Sequence, residues 1–163
     1  MDKGKVQVYY GTGQGKTSAA LGNVIRSAAE GKSAVVIQFM KEAADIEFLK
    51  RLEPEVRLFR FERSEEAFES LTKEEQEEEK QNIENGLNFA KKVLTTDNCD
   101  ILVLDEILGL VENGVVSEEE LIQIFGARSI FTSIILTGRT LPDSIRDAAD
   151  EVLNIVCEKP VEA

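Results

Sequence analysis

Apolar residues recur with two different periods along the chain, and the way these periods alternate predicts the fold class. Short β-branched or aromatic runs bounded by turn residues indicate buried strands, and a run in which apolar and charged residues alternate indicates an edge strand. Buried strands are predicted at 33–39, 100–105 and 131–137, further strands at 5–10 and 151–156, and the alternating run is at 55–61.

Between these runs the apolar spacing becomes helical. From Lys16 onward, one face collects five apolar residues, and Gly31 is placed to end the helix. A second helix carries an apolar stripe further along the chain, and Ser117 with Glu120 predicts a capping box at the start of another. The five residues of the first helix are Ala20, Leu21, Val24, Ile25 and Ala28, and the stripe of the second is Ile83, Leu87, Ala90 and Leu94.

Strands that alternate with helices over the whole length predict a three-layer α/β protein with a mostly parallel sheet. We find no internal repeat and no linker, so residues 1–163 are predicted to form a single domain. Residues 62–84 hold ten Glu against three Lys or Arg, which indicates a solvated loop and helix face.

Composition and charge exclude several function classes. The 163 residues contain no His, so a His general base, a His-containing triad and a His-ligated zinc are excluded. No apolar run reaches the roughly 18 residues of a membrane span, and no signal peptide is recognisable, so we expect a cytoplasmic protein without a membrane partner. The net charge of −12 disfavours nucleic acid as a partner, including the reading as a RecA-like nucleic-acid motor.

The loop that follows the first strand predicts a phosphate site. Residues 8–18 read V-Y-Y-G-T-G-Q-G-K-T-S, in which Gly15-Lys16-Thr17 matches the end of the pattern G-x-x-x-x-G-K-S/T, while Tyr10 replaces its first glycine. A glycine-rich loop that opens a helix offers backbone N–H groups to an anion. The side chain of Lys16 is expected to contact phosphate, and the hydroxyl of Thr17 to hold Mg²⁺.

Three other motifs fall where predicted strands end. Asp105 and Glu106 follow four apolar residues, the arrangement in which an acid near a phosphate loop binds Mg²⁺ directly or through water. Arg139 follows Thr137-Gly138 and is placed to hold a phosphate or to stabilise a leaving group. Residues 38–41 read Q-F-M-K, and Gln38 and Lys41 either face the same cleft or lie there by chance.

Together these motifs resemble the P-loop class of corrinoid adenosyltransferases. That family carries V-Y/F-T-G-x-G-K-G-K-T-T, Q-F-x-K-G, V-L/V-D-E, and a late T-G-R followed by A-D-x-V. The corresponding residues here are 8–18, 38–41, 102–106, 137–139 and 149–152. Because the loop of this family also begins with a residue other than glycine, Tyr10 belongs to a variant loop and does not mark a decayed one.

The resemblance implies a P-loop NTPase-like (RecA-like) fold and an ATP-dependent transferase. Such enzymes bind MgATP, transfer its 5′-deoxyadenosyl group to a reduced Co(I) corrinoid, and release triphosphate; the resemblance also implies pairing into a homodimer. It assigns ATP binding to Gly11, Thr12, Gly13, Gln14, Gly15, Lys16, Thr17 and Ser18, metal binding to Thr17, Asp105 and Glu106, and catalysis to Lys16 and Arg139.

Departures from the family pattern leave a second interpretation open. The family has a G-F-T-W segment after its third strand, whereas this chain has no Trp and reads S-E-E-A-F-E-S-L at 64–71. Leu108 stands where the family has Asn or Thr, and the K-H-P-F motif is absent, with Pro160 as its only trace. The alternative is a P-loop ATPase or ATP-dependent switch that shares the scaffold and does not bind a corrinoid.

Overall fold

The computed structural model describes residues 2–39, 49–61, 68–96 and 99–162. Its six strands form one sheet in the order β3-β2-β4-β5-β1-β6, and every neighbouring pair is parallel. The strands are β1 (Val6–Tyr10), β2 (Ala34–Gln38), β3 (Val56–Arg60), β4 (Ile101–Asp105), β5 (Ser133–Gly138) and β6 (Glu151–Asn154).

Within the described residues, five α-helices connect these strands or follow them. They are α1 (Lys16–Ala29), α2 (Lys73–Thr95), α3 (Ile107–Glu112), α4 (Glu118–Gly126) and α5 (Asp143–Ala148), with short 3₁₀ turns at Lys50–Leu52 and Phe68–Ser70. Among the described residues, no helix is both long and apolar enough to span a bilayer.

The two faces of the sheet are covered unequally. One face packs on α2 to α5 in a large core that includes Ile37, Leu87, Leu104 and Leu136. The other face packs on α1 in a smaller core that includes Tyr9, Ala20, Val24 and Val103. These layers confirm the predicted three-layer α/β class with a parallel sheet.

The strand assignments from the sequence are confirmed, with ends that differ by one to two residues. All five residues of β4 are buried, as expected of a central strand in a parallel sheet, and β3 lies at an edge as its alternation indicated. The predicted stripe of α2 is also buried, and its exposed acids form the solvated face expected of the acidic run; they are Glu74, Glu75, Glu77, Glu78 and Glu84.

Two details of the helices differ from the sequence expectations. Ile25 was expected on the inner face of α1 but is 46% exposed, because its position on the helix lies about 100° from Val24, at the border of the packed stripe. A capping box at the start of α2, between Thr72 and Glu75, was not predicted. At α4, Ser117 does accept a hydrogen bond from the backbone N–H of Glu120.

Candidate functional site

The loop between β1 and α1 adopts the geometry of an anion site. Gly15 precedes the first helical residue in a left-handed conformation, with φ of 102°, which a residue with a side chain rarely adopts. The helix then begins at Lys16, so the N–H groups of Lys16, Thr17 and Ser18 have no carbonyl partner within the helix. Such N–H groups and the positive end of the helix dipole favour a bound anion.

Lys16 extends back over the loop. Its Nζ donates a hydrogen bond of 2.7 Å to the carbonyl of Gly13, and the side chain is half-buried. The loop therefore supplies a temporary acceptor for the ammonium group, at a position from which it can exchange that acceptor for a phosphate oxygen.

The first half of the loop is held by its neighbours on both sides. The N–H of Gly11 donates to the carbonyl of Gly138 at 3.1 Å, and the N–H of Gly13 donates to the carbonyl of Ile155 at 3.0 Å. Ile155 in turn donates its N–H to Tyr10 at 2.7 Å. A Cβ on Gly11 would collide with the carbonyl of Ile155, so this glycine permits a close backbone approach.

These contacts refine the roles predicted for the loop. Gly11 and Gly13 use their N–H groups within the protein, so they shape the loop, while the first turn of α1 presents the amides at its mouth. The side chains of Thr12, Gln14 and Ser18 are exposed. The support from Ile155 was missed, because a backbone contact between residues distant in sequence carries no side-chain motif.

Asp105 is the centre of a buried hydrogen-bond cluster beside the loop. Its carboxylate is fully buried and accepts bonds from the hydroxyl of Thr17 at 2.9 Å, the hydroxyl of Thr137 at 2.7 Å and the side-chain amide of Gln38 at 3.3 Å. The predicted proximity of Thr17 and Asp105 is therefore observed. Thr137 belongs to the T-G-R motif but was not predicted as a site residue.

Burial dominates the electrostatics of this carboxylate. Desolvation raises the pKa of Asp105, while the hydrogen bonds from Thr137, Thr17 and Gln38 and the charge of Lys16 lower it in part. The net direction is upward, so the hydrogen bonds and Lys16 only partly offset the loss of water. A buried carboxylate in this state gains from a nearby cation.

The donor set fits a magnesium ion. Because Thr17 donates its only hydroxyl proton to Asp105, the lone pairs of the same oxygen are left for a cation. No group of three or more acidic, His or Cys residues suited to a metal occurs among the described residues. Mg²⁺ needs no such cage, since one or two protein ligands, water and substrate phosphates complete its shell.

Glu106 occupies a constrained turn between β4 and α3. It is the one described residue other than glycine with a positive φ, at 64°, and its N–H donates to the hydroxyl of Thr137 at 2.8 Å. Strained conformations of this kind persist where the surrounding structure holds them, and they are concentrated at functional sites. Its half-buried side chain begins at the same edge of the sheet as Asp105.

The T-G-R motif combines two packing roles with an exposed cation. Thr137 bonds Asp105, and Gly138 accepts from Gly11 and lies so close to α3 that an added Cβ would collide with the side chain of Leu108. Leu108 itself is fully buried. Arg139 follows at the surface, beside the loop, where its side chain is exposed.

The Q-F-M-K motif is resolved in part. Gln38 is buried and joins the Asp105 cluster, whereas Lys41 lies outside the described residues. Of the segment that departs from the G-F-T-W pattern, residues 64–67 are also outside them.

Known proteins identify the family. Residues 2–161 match the family described as ATP:corrinoid adenosyltransferase BtuR/CobO/CobP. The chain belongs to this family. It is 30% identical over 151 residues to corrinoid adenosyltransferase CobA of Salmonella typhimurium and 28% identical over 151 residues to the corrinoid adenosyltransferase of Escherichia coli K12. Each alignment covers 93% of this chain and 76% of the relative. The protein is therefore a transferase, as the motifs predicted.

The fold has a more distant counterpart. The flagellar accessory protein FlaH of Methanocaldococcus jannaschii superposes with a TM-score of 0.62 at 18% identity, over 94% of this chain and 72% of that one. At this identity the likeness extends to the architecture alone, and it agrees with the predicted P-loop NTPase-like fold.

Proposed function

We propose that this family member transfers the 5′-deoxyadenosyl group of MgATP to a reduced Co(I) corrinoid and releases triphosphate. The observation that carries the proposal is the 2.9 Å hydrogen bond from Thr17 to the buried Asp105, directly beside a loop shaped for phosphate. It joins an anion site to a cation site, which is the combination that MgATP requires.

The loop and the cluster divide the binding of MgATP between them. Lys16 and the first-turn amides of α1 hold phosphate oxygens. Thr17 would hold the metal ion through its hydroxyl oxygen, with Asp105 fixing that hydroxyl and Glu106 at the edge of the same site. When bound, Mg²⁺ supplies neutralisation of the charge on the phosphate oxygens.

The chemical step needs little acid–base assistance from the protein. The electron pair of Co(I) forms the bond to the ribose 5′ carbon, and the bond from this carbon to the triphosphate oxygen breaks with its pair on the leaving group. No proton must be transferred, which is consistent with a chain without His. Lys16 and Arg139 stabilise the negative charge that collects on the triphosphate, and the loop between β1 and α1 orients it.

Product analysis tests this function directly. The protein is incubated with MgATP and a chemically reduced corrinoid, and the products are separated. Triphosphate together with a light-sensitive adenosylated corrinoid is the expected result. ADP and phosphate alone would instead establish the alternative, an ATPase or switch on the same scaffold. The absence of Trp and the buried Leu108 at a position where the family has Asn or Thr favour that alternative.

Three further expectations remain part of the proposal. The family likeness supports a homodimer, which gel filtration with light scattering tests. Cytoplasmic location and the lack of a nucleic-acid partner rest on sequence and charge, and tight binding to DNA at physiological salt would contradict the latter.

A further inference from the structure

Three side chains form a row across neighbouring strands next to the proposed metal site. The parallel register pairs Gln38 with Asp105 on one side and with Arg60 on the other. Residues at the same level of adjacent strands project to the same face, so the three side chains are neighbours at the carboxyl ends of β3, β2 and β4. Each is linked to the next by a hydrogen bond.

The middle member of the row has two distinct ends. The amide nitrogen of Gln38 donates to Oδ2 of Asp105 at 3.3 Å, and its oxygen accepts from Nε of Arg60 at 3.2 Å. A guanidinium can only donate, and a carboxylate can only accept. Each neighbour therefore imposes the same orientation on the amide. In the reversed amide, the oxygen of Gln38 would face the carboxylate of Asp105, and its NH₂ group would face the guanidinium of Arg60.

This arrangement reaches the hydroxyl proposed to bind magnesium. Thr17 and Thr137 both donate to Oδ1 of Asp105, and Gln38 donates to the other oxygen, Oδ2. A carboxylate held at both oxygens cannot rotate without losing bonds. Its fixed orientation determines in turn where the lone pairs of Thr17 point.

We infer that Gln38 and Arg60 are positioning residues, which orient the Asp105 carboxylate so that Thr17 offers its oxygen to the metal ion of MgATP. The inference rests on the proposed function only in its metal site, and it does not depend on the corrinoid. Arg60 lies in the edge strand and is half-buried, and it acts through Gln38. It is therefore a determinant of metal use outside the phosphate loop and the D-E motif.

The lengths of the hydrogen bonds to Asp105 indicate how strongly each substitution should weaken metal-dependent binding. The contact from Gln38 is longer than those from Thr137 and Thr17, so its removal should weaken metal-dependent binding less than loss of the Thr17 hydroxyl. Arg60 has a further interaction of its own, so a single substitution there mixes two effects. A double-mutant cycle separates the part that passes through Gln38.

The test measures affinity for the fluorescent N-methylanthraniloyl derivative of ATP, with Mg²⁺ and with EDTA, and takes the ratio of the two dissociation constants. Gln38→Met, which preserves length and removes both polar ends, should reduce this ratio by about 3- to 10-fold, the effect of one hydrogen bond of ordinary net strength. Affinity in EDTA should stay within about 2-fold. Arg60→Met should reduce the ratio by about 2- to 3-fold alone, and by nothing further in the Gln38→Met background.

Arg57→Met is the matched control. It removes the same charge from the same strand, but Arg57 pairs in register with Val35, whose side chain belongs to the opposite core. Its ratio should equal that of the unmodified protein, and circular dichroism with thermal unfolding verifies that all variants fold.

The outcomes are distinguishable from failure of the proposed function. An unchanged ratio in Gln38→Met, or additive losses in the double variant, would overturn the positioning role while MgATP binding stands. A ratio of one in the unmodified protein would overturn the metal site and this inference together. Intact metal-dependent binding without adenosyl transfer would remove the transferase proposal and leave the inference supported.

Discussion

Two aspartates at opposite ends of β4 serve different purposes. Asp100 precedes the strand, is exposed, and accepts a 2.8 Å hydrogen bond from the backbone N–H of Ser33. Asp105 ends the strand, is fully buried, and is bonded by three side chains. The first carboxylate satisfies the backbone where chain segments enter the sheet. Within the described part of the chain, the second is bonded by side chains and by no backbone N–H, so satisfying the backbone does not account for it.

The same contrast extends along both ends of the sheet. At the amino ends, Ser133 accepts from the N–H of Lys5, and Asp150 accepts from the N–H of Val6. At the carboxyl ends, polar side chains bond to one another in a buried cluster. Side chains that bond the backbone at an exposed end stabilise the fold, while a buried cluster around an unneutralised charge indicates a binding site.

The largest expected effect is on ATP affinity, and it should distinguish two lysines at opposite ends of the sheet. Lys16→Ala should lower ATP affinity by about 100-fold, because it removes a cation that is positioned over the phosphate loop. Lys32→Ala removes the same charge near the amino ends of the strands and should leave affinity within about 2-fold. Equilibrium binding of labelled ATP measures both, and unchanged affinity in Lys16→Ala would refute the site assignment.

The next largest effect is expected on stability, at two closely packed glycines that lie at opposite ends of the sheet. An added Cβ on Gly138 would collide with Leu108, and one on Gly4 would collide with the carbonyl of Thr132. Both Ala variants should lose about 1–3 kcal/mol of unfolding free energy, whereas Gly22→Ala, which meets open space in a helix, should gain about 0.5–1 kcal/mol. Denaturant titration measures this.

Nucleotide binding then distinguishes the two packed glycines. Gly138 accepts the hydrogen bond from Gly11, so its substitution should also weaken ATP binding, under conditions in which the variant remains folded. Gly4→Ala should not. Equal loss of ATP affinity in both variants would mean that the loop responds to global stability and has no local support from β5.

A smaller effect is expected on the Mg²⁺-dependent part of ATP affinity, which reports on the metal site separately from the phosphate loop. Thr17→Val removes the hydroxyl that bonds Asp105 and should reduce the Mg²⁺-dependent gain in ATP affinity by about 10-fold, with metal-free affinity nearly unchanged. Ser33→Ala removes a hydroxyl that lies 3.4 Å from the carboxylate of Asp100, and it should change neither affinity. If metal-free affinity falls as far as metal-dependent affinity in Thr17→Val, the threonine supports the loop and does not bind the ion.

The sequence predicted the architecture well because strand and helix periods are local. It also predicted the grouping of Lys16, Thr17, Asp105 and Arg139 at one edge, since the carboxyl ends of parallel strands meet there. It did not predict how the loop is supported. Ile155 acts through its backbone, and any residue at that position would offer the same N–H and carbonyl.

Other parts of the site depend on neighbours across the sheet. Thr137 and Arg60 join the Asp105 cluster only because β5 and β3 lie at particular places in the strand order, which periodicity does not determine. Ile25 was assigned to the core wrongly for a related reason, since a single helix covers part of a wide sheet face and leaves its border exposed.

The smallest effect concerns stability without ligand, and it reverses the usual expectation for a buried hydrogen-bonded residue. Burial raises the pKa of Asp105 above its ordinary value of 3.8, so the folded protein binds a proton more tightly than the unfolded chain. The ionised group therefore costs stability at neutral pH, and this cost disappears as the pH falls through the raised pKa toward 3.8. Asp105→Asn should raise Tm at pH 7, with a smaller gain near pH 4, as differential scanning calorimetry at the two pH values would measure.

Asp100→Asn should instead lower Tm slightly at pH 7, because it weakens a charge-assisted bond to the Ser33 N–H. If Tm rises in Asp105→Asn and falls in Asp100→Asn, the carboxylate of Asp100 stabilises the fold, whereas that of Asp105 is retained at the expense of stability. A lower Tm in Asp105→Asn at pH 7 would mean that the bonds from Thr17, Thr137 and Gln38 outweigh desolvation. The cluster would then be explained by the fold, and the metal site would rest on the Mg²⁺ dependence of binding alone.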